Sequence, residues 1–127
     1  MTKPCVLPMF ALLAGCTSQQ MCGTVVELHN SCPSSINAKV ESFSNLGDEN
    51  PKLIAIGSQQ TERVAIYSTP SCDLQETLPA NYRLTLLSTE KHVVFNRSTL
   101  VKRAVENPKK TIGDVHFWLI ESSDLCQ

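Results

Sequence analysis

The chain has 127 residues, 42% of them apolar and 18% charged, with a formal net charge of −1. That length holds one ordinary domain rather than two, and the near-neutral balance of scattered charges excludes the basic footprint of a nucleic-acid binder. No apolar run approaches the roughly 18–20 residues of a spanning helix, so a helical membrane crossing is not expected.

The first element in chain order reads as an export segment. Lys3 supplies a positive start, residues 5–13 are mostly apolar, and the run closes on the small residues Ala14 and Gly15 before Cys16 and a polar stretch. This is the order of a leader with a small-residue cleavage site. Pro4 and Pro8 disfavour a helix within it. Leu13-Ala14-Gly15-Cys16 resembles a lipobox, so the leader is similar to that of bacterial lipoproteins. The resemblance implies cleavage after residue 15 and transfer of a diacylglyceryl group, followed by palmitate, to Cys16. With Thr17 in place of Asp after the cysteine, it further implies an outer-membrane destination. One acyl chain holds a protein only marginally, at about 0.8 kcal/mol per buried CH₂, whereas two or three anchor it stably. The expected organisation is a signal peptide over 1–15, a lipidated tether over 16–21 and one disulfide-stabilised domain over 22–127.

Six cysteines are many for this length, and an exported chain can pair them. With Cys5 cut away and Cys16 acylated, Cys22, Cys32, Cys72 and Cys126 remain. An even set of four reads as two disulfides with three possible connectivities. Cys22, His29 and Cys32 lie close in sequence, with His92 and His116 elsewhere, but no C-x₂-C pair exists and the spacings match no structural zinc pattern. No metal or other cofactor is expected.

The domain then reads as strands divided by turns. "TVVELHN" puts Val26 and Leu28 on one face. In "SINAKVES", Ile36, Ala38 and Val40 alternate with Asn37, Lys39 and Glu41, the period of a half-buried strand. Asn45, Gly47, Asp48, Asn50 and Pro51 crowd a loop, where Asp48 and Glu49 read as solvated carboxylates. "LIAIGSQQTERVAI" looks like a hairpin, with Val64 and Ile66 sharing the inner face. Residues 70–81 form a longer connection holding Cys72. "YRLTLLS" aligns Tyr82, Leu84 and Leu86, and a turn near Thr89 and Glu90 leads into "HVVFN". Ser98 is placed to cap a short helix carrying Leu100, Val101, Ala104 and Val105, which Pro108 ends. "TIGDVHFWLIE" reads as the last strand. Its second half is apolar on both faces, which suits a central strand or a face that meets a partner.

About seven short strands, turning every 8–12 residues or so, predict an all-β antiparallel sandwich of immunoglobulin-like or transthyretin-like character with one short helix. Strand parity bears on the bridges. Simple alternation puts Cys22 and Cys72 at one end and Cys32 and Cys126 at the other, whereas a reversal in the helical connection favours Cys22–Cys126 with Cys32–Cys72.

No G-x-S-x-G elbow and no glycine-rich phosphate loop is present, so the chain reads as non-catalytic. Asn96-Arg97-Ser98 matches a glycosylation sequon, which a bacterial context does not use, and Arg63, Lys102 and Arg103 read as solvated charges. His116, Trp118 and Ile120 share one face of the last strand and are the candidates for a partner surface, unless the helix at residues 100–105 covers them. The expected role is an envelope binding or assembly module that reaches the lipid bilayer through acylated Cys16 and docks an envelope protein. In size, anchor and strand content it resembles small lipoproteins of secretion and conjugation machines, among them the transthyretin-like lipoprotein of type VI secretion. The alternative is an inhibitor of a lysozyme or protease that inserts the loop between Pro70 and Pro79 into the enzyme's cleft.

Overall fold

The computed structural model describes residues 2–3 and 19–126. The lipobox, with Cys16 and the expected cleavage point, lies outside them. Two-residue strands β1 (Thr2–Lys3) and β2 (Gln19–Gln20) pair antiparallel. β3 (Cys22–His29), β4 (Ile36–Glu41), β5 (Lys52–Ile56), β6 (Thr61–Thr69), β7 (Arg83–Leu87), β8 (His92–Asn96), β9 (Lys110–Ile112) and β10 (Val115–Glu121) build the domain, with helices α1 (Leu74–Thr77) and α2 (Arg97–Ala104). Two four-stranded sheets result, ordered β6-β3-β10-β9 and β5-β4-β7-β8. Apart from the parallel β3–β10 pair, every ladder in them is antiparallel. The fold is the expected all-β sandwich.

The alternating strands behave as their pattern dictates. Ile36, Ala38 and Val40 on β4, Leu84 and Leu86 on β7, and Val26 and Leu28 on β3 are all buried between the sheets. Tyr82, just before β7, is buried with them and donates its hydroxyl to the Val64 carbonyl at 2.8 Å. Burial pushes its phenol well above the ordinary tyrosine range, with Tyr67 nearby adding to the shift.

Four local readings change. β6 slips against β3 between Val26 and Glu27, so Val64 and Ala65 are both buried and Tyr67, not Ile66, continues the inner face. A bulge inserts one residue and so moves everything beyond it to the opposite face. β5 and β6 do not form a hairpin; they belong to different sheets, and residues 57–60 carry the chain across. Asn30 fixes that crossing. Its backbone N–H donates to Gln60 and its carbonyl accepts from Gln59, both at 2.8 Å. The expected last strand is two strands, β9 and β10, joined by Gly113 and Asp114. Gly113 has φ +60° and Asp114 does not adopt positive φ, the pattern of a two-residue hairpin turn with glycine first. Finally, α2 is capped by Asn96, not Ser98. The Asn96 side chain accepts from Thr99 N while Thr99 Oγ1 accepts from Asn96 N, a reciprocal capping box.

α2 buries Leu100 and Ala104 and packs against both β8 and β10, closing one side of the sandwich where β9 stops short. Arg103 is not a free charge: it pairs with Asp124 and lies 5.6 Å from the Phe95 ring. The connection after β6 folds onto the core through α1. Leu74 and Leu78 are buried, and Asp73 caps the helix by accepting from Gln75 and Glu76. No helix among the described residues is long and apolar enough to cross a membrane.

Candidate functional site

The four cysteines of the domain form two disulfides, Cys22–Cys72 and Cys32–Cys126. β10 runs parallel to β3, with Glu121 beside His29, so Cys32 and Cys126 leave their strands at the same end. α2 and the extra strand β9 each reverse the chain once, and the two reversals cancel. Simple alternation therefore places the cysteines correctly although the strand count rises to eight.

The parallel register sets His116 beside Thr24, Trp118 beside Val26 and Ile120 beside Leu28. Thr24, Val26 and Leu28 are buried, so the His116 row faces the interior. Ile120 is fully buried core, Trp118 is half-buried and packs on that core, and His116 is half-buried where the row ends. These three residues do not form an exposed partner surface. β10 lies between β3 and β9, and Val115, Phe117 and Leu119 on its other face are half-buried.

What the row reaches is the first disulfide. One ligand atom each from Cys22, Cys72 and His116 lie within 4.8 Å of one another. Across β9, Thr111 Oγ1 stands 3.3 Å from His116 Nδ1. The Lys109 ammonium lies 5.5 Å from the centre of the Trp118 ring. Two buried polar atoms in this region, Thr24 Oγ1 and Trp118 Nε1, have no hydrogen-bond partner. With the sulfurs joined, neither is available as a thiolate, the form that binds metals.

A second candidate is the outer face of the β5-β4-β7-β8 sheet, which the alternation turns to solvent. Register aligns Leu53, Lys39, Thr85 and Val94 in one row, and Ala55, Asn37, Leu87 and His92 in the next. Leu53 is 75% exposed, and Leu87 and Val94 are exposed as well. Leu53 and Leu87 flank a shallow depression of about 260 Å³ floored by Asn37 and Lys39. Its signal was present in the sequence as apolar residues at outward positions of alternating strands.

A third, more polar groove of about 330 Å³ runs between Phe43, Lys52, Glu62 and Arg63. Lys52 sits 4.4 Å over the Phe43 ring and 3.3 Å from Asp48. A hydrogen bond from Ser44, helped by Lys52, holds the Asp48 carboxyl below its ordinary range. Burial pushes the Tyr67 phenol, which donates to the Ser42 carbonyl, up to about 12. Among the described residues, His29 and His116 each meet a threonine hydroxyl, at 2.9 and 3.3 Å, and neither is held by a carboxylate. The loop between Pro70 and Pro79 turns its apolar residues inward and leaves Asp73, Gln75 and Glu76 outside.

No family model matches the chain, and no curated protein or solved structure matches it significantly.

Proposed function

We propose that the chain is a non-catalytic binding module of the bacterial envelope, anchored in the outer membrane through acylated Cys16 and docking an envelope protein through the outer face of the β5-β4-β7-β8 sheet. The carrying observation is the complete pairing of the domain's four cysteines. An oxidised domain fits an exported chain, and these cross-links make no demand on the lipobox thiol. The exposed Leu53, Leu87 and Val94 support the binding half of the reading, since apolar residues grouped on a solvent face are what protein partners cover. Five residues lie between Cys16 and Cys22, and the six steps reach at most about 22 Å when extended. The Cys22–Cys72 end therefore stays near the bilayer. A place in a secretion or conjugation machine accords with this build.

Two measurements test the proposal. Intact mass of the natural product is expected to show a chain beginning at residue 16 and carrying acyl groups, with Cys16→Ser removing that mass. An unprocessed, unacylated wild-type chain overturns the anchor. Pull-down from crosslinked envelopes is expected to recover one stable component, and Leu53→Asp with Leu87→Asp to abolish the capture, because both side chains are exposed and the fold does not need them. Undiminished capture by that variant removes the sheet face from the account; recovery of a hydrolytic enzyme instead favours the inhibitor reading.

A further inference from the structure

We propose that the Cys22–Cys72 disulfide is the closed form of a zinc site: on reduction, the two thiolates and the His116 imidazole bind one Zn²⁺ at the end of the sandwich nearest the tether. This inference does not rest on the lipid anchor.

Three segments distant in sequence deliver the donors. Cys22 opens β3, Cys72 follows β6, and His116 comes from β10 through the parallel register. Among the described residues, theirs is the one cluster of three ligating side chains whose donor atoms lie within 4.8 Å of one another. Two thiolates and an imidazole are the donors zinc takes, and a three-ligand set leaves its fourth position to a solvent oxygen. Tetrahedral ligands roughly 2.0–2.3 Å from zinc stand about 3.5–3.8 Å apart. His116, no more than 4.8 Å from either sulfur, closes by at most about 1 Å, while the two sulfurs, once reduced, move apart to that ligand spacing. The Thr111 hydroxyl beside His116 Nδ1 assigns Nε2 as the ligating nitrogen in this proposal, with Thr111 as the outer partner that fixes the ring.

A separate observation points to a ligand in the same place. Thr24 is only 1% exposed, lies beside His116 in register, and leaves its hydroxyl without a partner. Buried polar groups are rarely left so, and a zinc-bound water or hydroxide is a group that such a hydroxyl can meet.

The chemistry balances with a dithiol reductant. Its first thiolate attacks the sulfur of Cys72, the exposed residue of the pair, giving a mixed disulfide and releasing Cys22 as thiolate. Its second thiolate displaces Cys72, so the reductant leaves as its own disulfide, having supplied two electrons and two protons. Zinc then binds the thiolates and expels those two protons. Oxidation reverses the sequence and ejects the metal, so metal occupancy follows redox state.

The full chain, reduced with a dithiol and desalted without oxygen, is titrated with Zn²⁺ against a chromogenic chelator. One tightly bound equivalent is expected for the reduced chain and none for the oxidised chain. His116→Ala is expected to weaken binding by roughly tenfold or more, while His92→Ala, at an exposed site outside the cluster, leaves it unchanged. Circular dichroism follows the fold in parallel. The dithiol also opens Cys32–Cys126, so the fold is compared with the zinc-free reduced chain, and zinc is expected to raise the folded signal in wild type and not in His116→Ala. No zinc uptake by the reduced chain overturns the proposal. So does equal uptake by His116→Ala and wild type, or an equal gain of folded signal in both on adding zinc.

Discussion

At the Cys32–Cys126 end the buried Asn30 uses its whole side chain. Its Nδ2 donates to the carbonyls of Ser34, Ile56 and Gly57 at 3.0–3.1 Å, and its Oδ1 accepts from Cys32 N at 2.9 Å and from Ser122 Oγ at 3.3 Å. Ser122 Oγ also accepts from Ser31 N and lies 3.6 Å from the Cys32 sulfur; of these side chains only the Ser31 hydroxyl stays unpartnered. At the Cys22–Cys72 end, Thr24 and Trp118 leave their polar atoms unmatched and a histidine leans on the disulfide. Two bridges with the same 5.4 Å Cα separation thus sit in different surroundings. One lies beside a polar network centred on Asn30, complete but for the Ser31 hydroxyl, that ties β3, the sheet crossing and the chain's last turn together. The other has a bonded network of Thr69, Ser71, Asp73 and Thr77 around Cys72, but on its β3–β10 side the Thr24 hydroxyl and the Trp118 indole N–H are left unmatched.

The largest expected effect breaks this comparison most directly. The bridges close segments of 94 and 50 residues, and chain entropy alone assigns them about 4.7 and 4.1 kcal/mol. Loop length therefore separates them by only about 0.6 kcal/mol. Paired Cys→Ala variants are expected to differ by more, with loss of Cys32–Cys126 costing at least ~2 kcal/mol beyond loss of Cys22–Cys72, because the Asn30–Ser122 network loosens with it. Denaturant midpoints at unchanged slope measure this, and a difference no larger than the loop-length term would erase the contrast.

Asn30→Ala comes next, at about 3 kcal/mol. It strips a donor from three carbonyls and an acceptor from the Cys32 N–H, and part of that loss is recovered by water. Asn30→Asp sharpens the point. It keeps an acceptor for Cys32 N but aims a carboxylate at three carbonyl oxygens, so no rescue is expected at neutral pH. Recovery by Asp to near wild-type stability would mean that the crossing at residues 57–60 does not depend on the amide donors.

How far the sequence foretold these ends depends on whether the cause is local. β4 and β7 were legible because each buries one face, and the period of two is then written directly in Ile36, Ala38, Val40, Leu84 and Leu86. The Gly113-Asp114 turn was also legible in principle, since a two-residue Gly-Asp link between apolar runs is a hairpin signal; the long run around it hid the break. The slip in β6 was not legible, because a bulge is set by what lies across the ladder rather than by the bulged strand itself. Nor was the role of Asn30, whose partners are mostly backbone carbonyls that any sequence would supply. The approach of His116 to Cys22 and Cys72 depends on a parallel pairing between the first and last long strands of the domain, and spacing along the chain carries no trace of it. Reading zinc signals from sequence neighbours grouped Cys22 with His29 and Cys32, which the fold sends to opposite ends.

The smallest expected effects differ in sign, which makes them the sharpest test of the contrast. Ser122→Ala removes a hydroxyl that accepts from Ser31 N and donates to Asn30 Oδ1, and should cost about 1 kcal/mol. Thr24→Val removes a buried hydroxyl that has no partner and keeps a branched side chain suited to β3. The oxidised protein should then be unchanged or more stable by up to about 1 kcal/mol, since a desolvated, unmatched group is lost. A destabilisation of that size instead would show that the Thr24 hydroxyl already holds an ordered partner, such as a trapped water, in the oxidised state. Repeating the measurement on the reduced, zinc-loaded chain separates the two cases. If the hydroxyl meets a zinc-bound oxygen only there, Thr24→Val lowers stability in the loaded form alone, and the two oxidation states report opposite signs for one substitution.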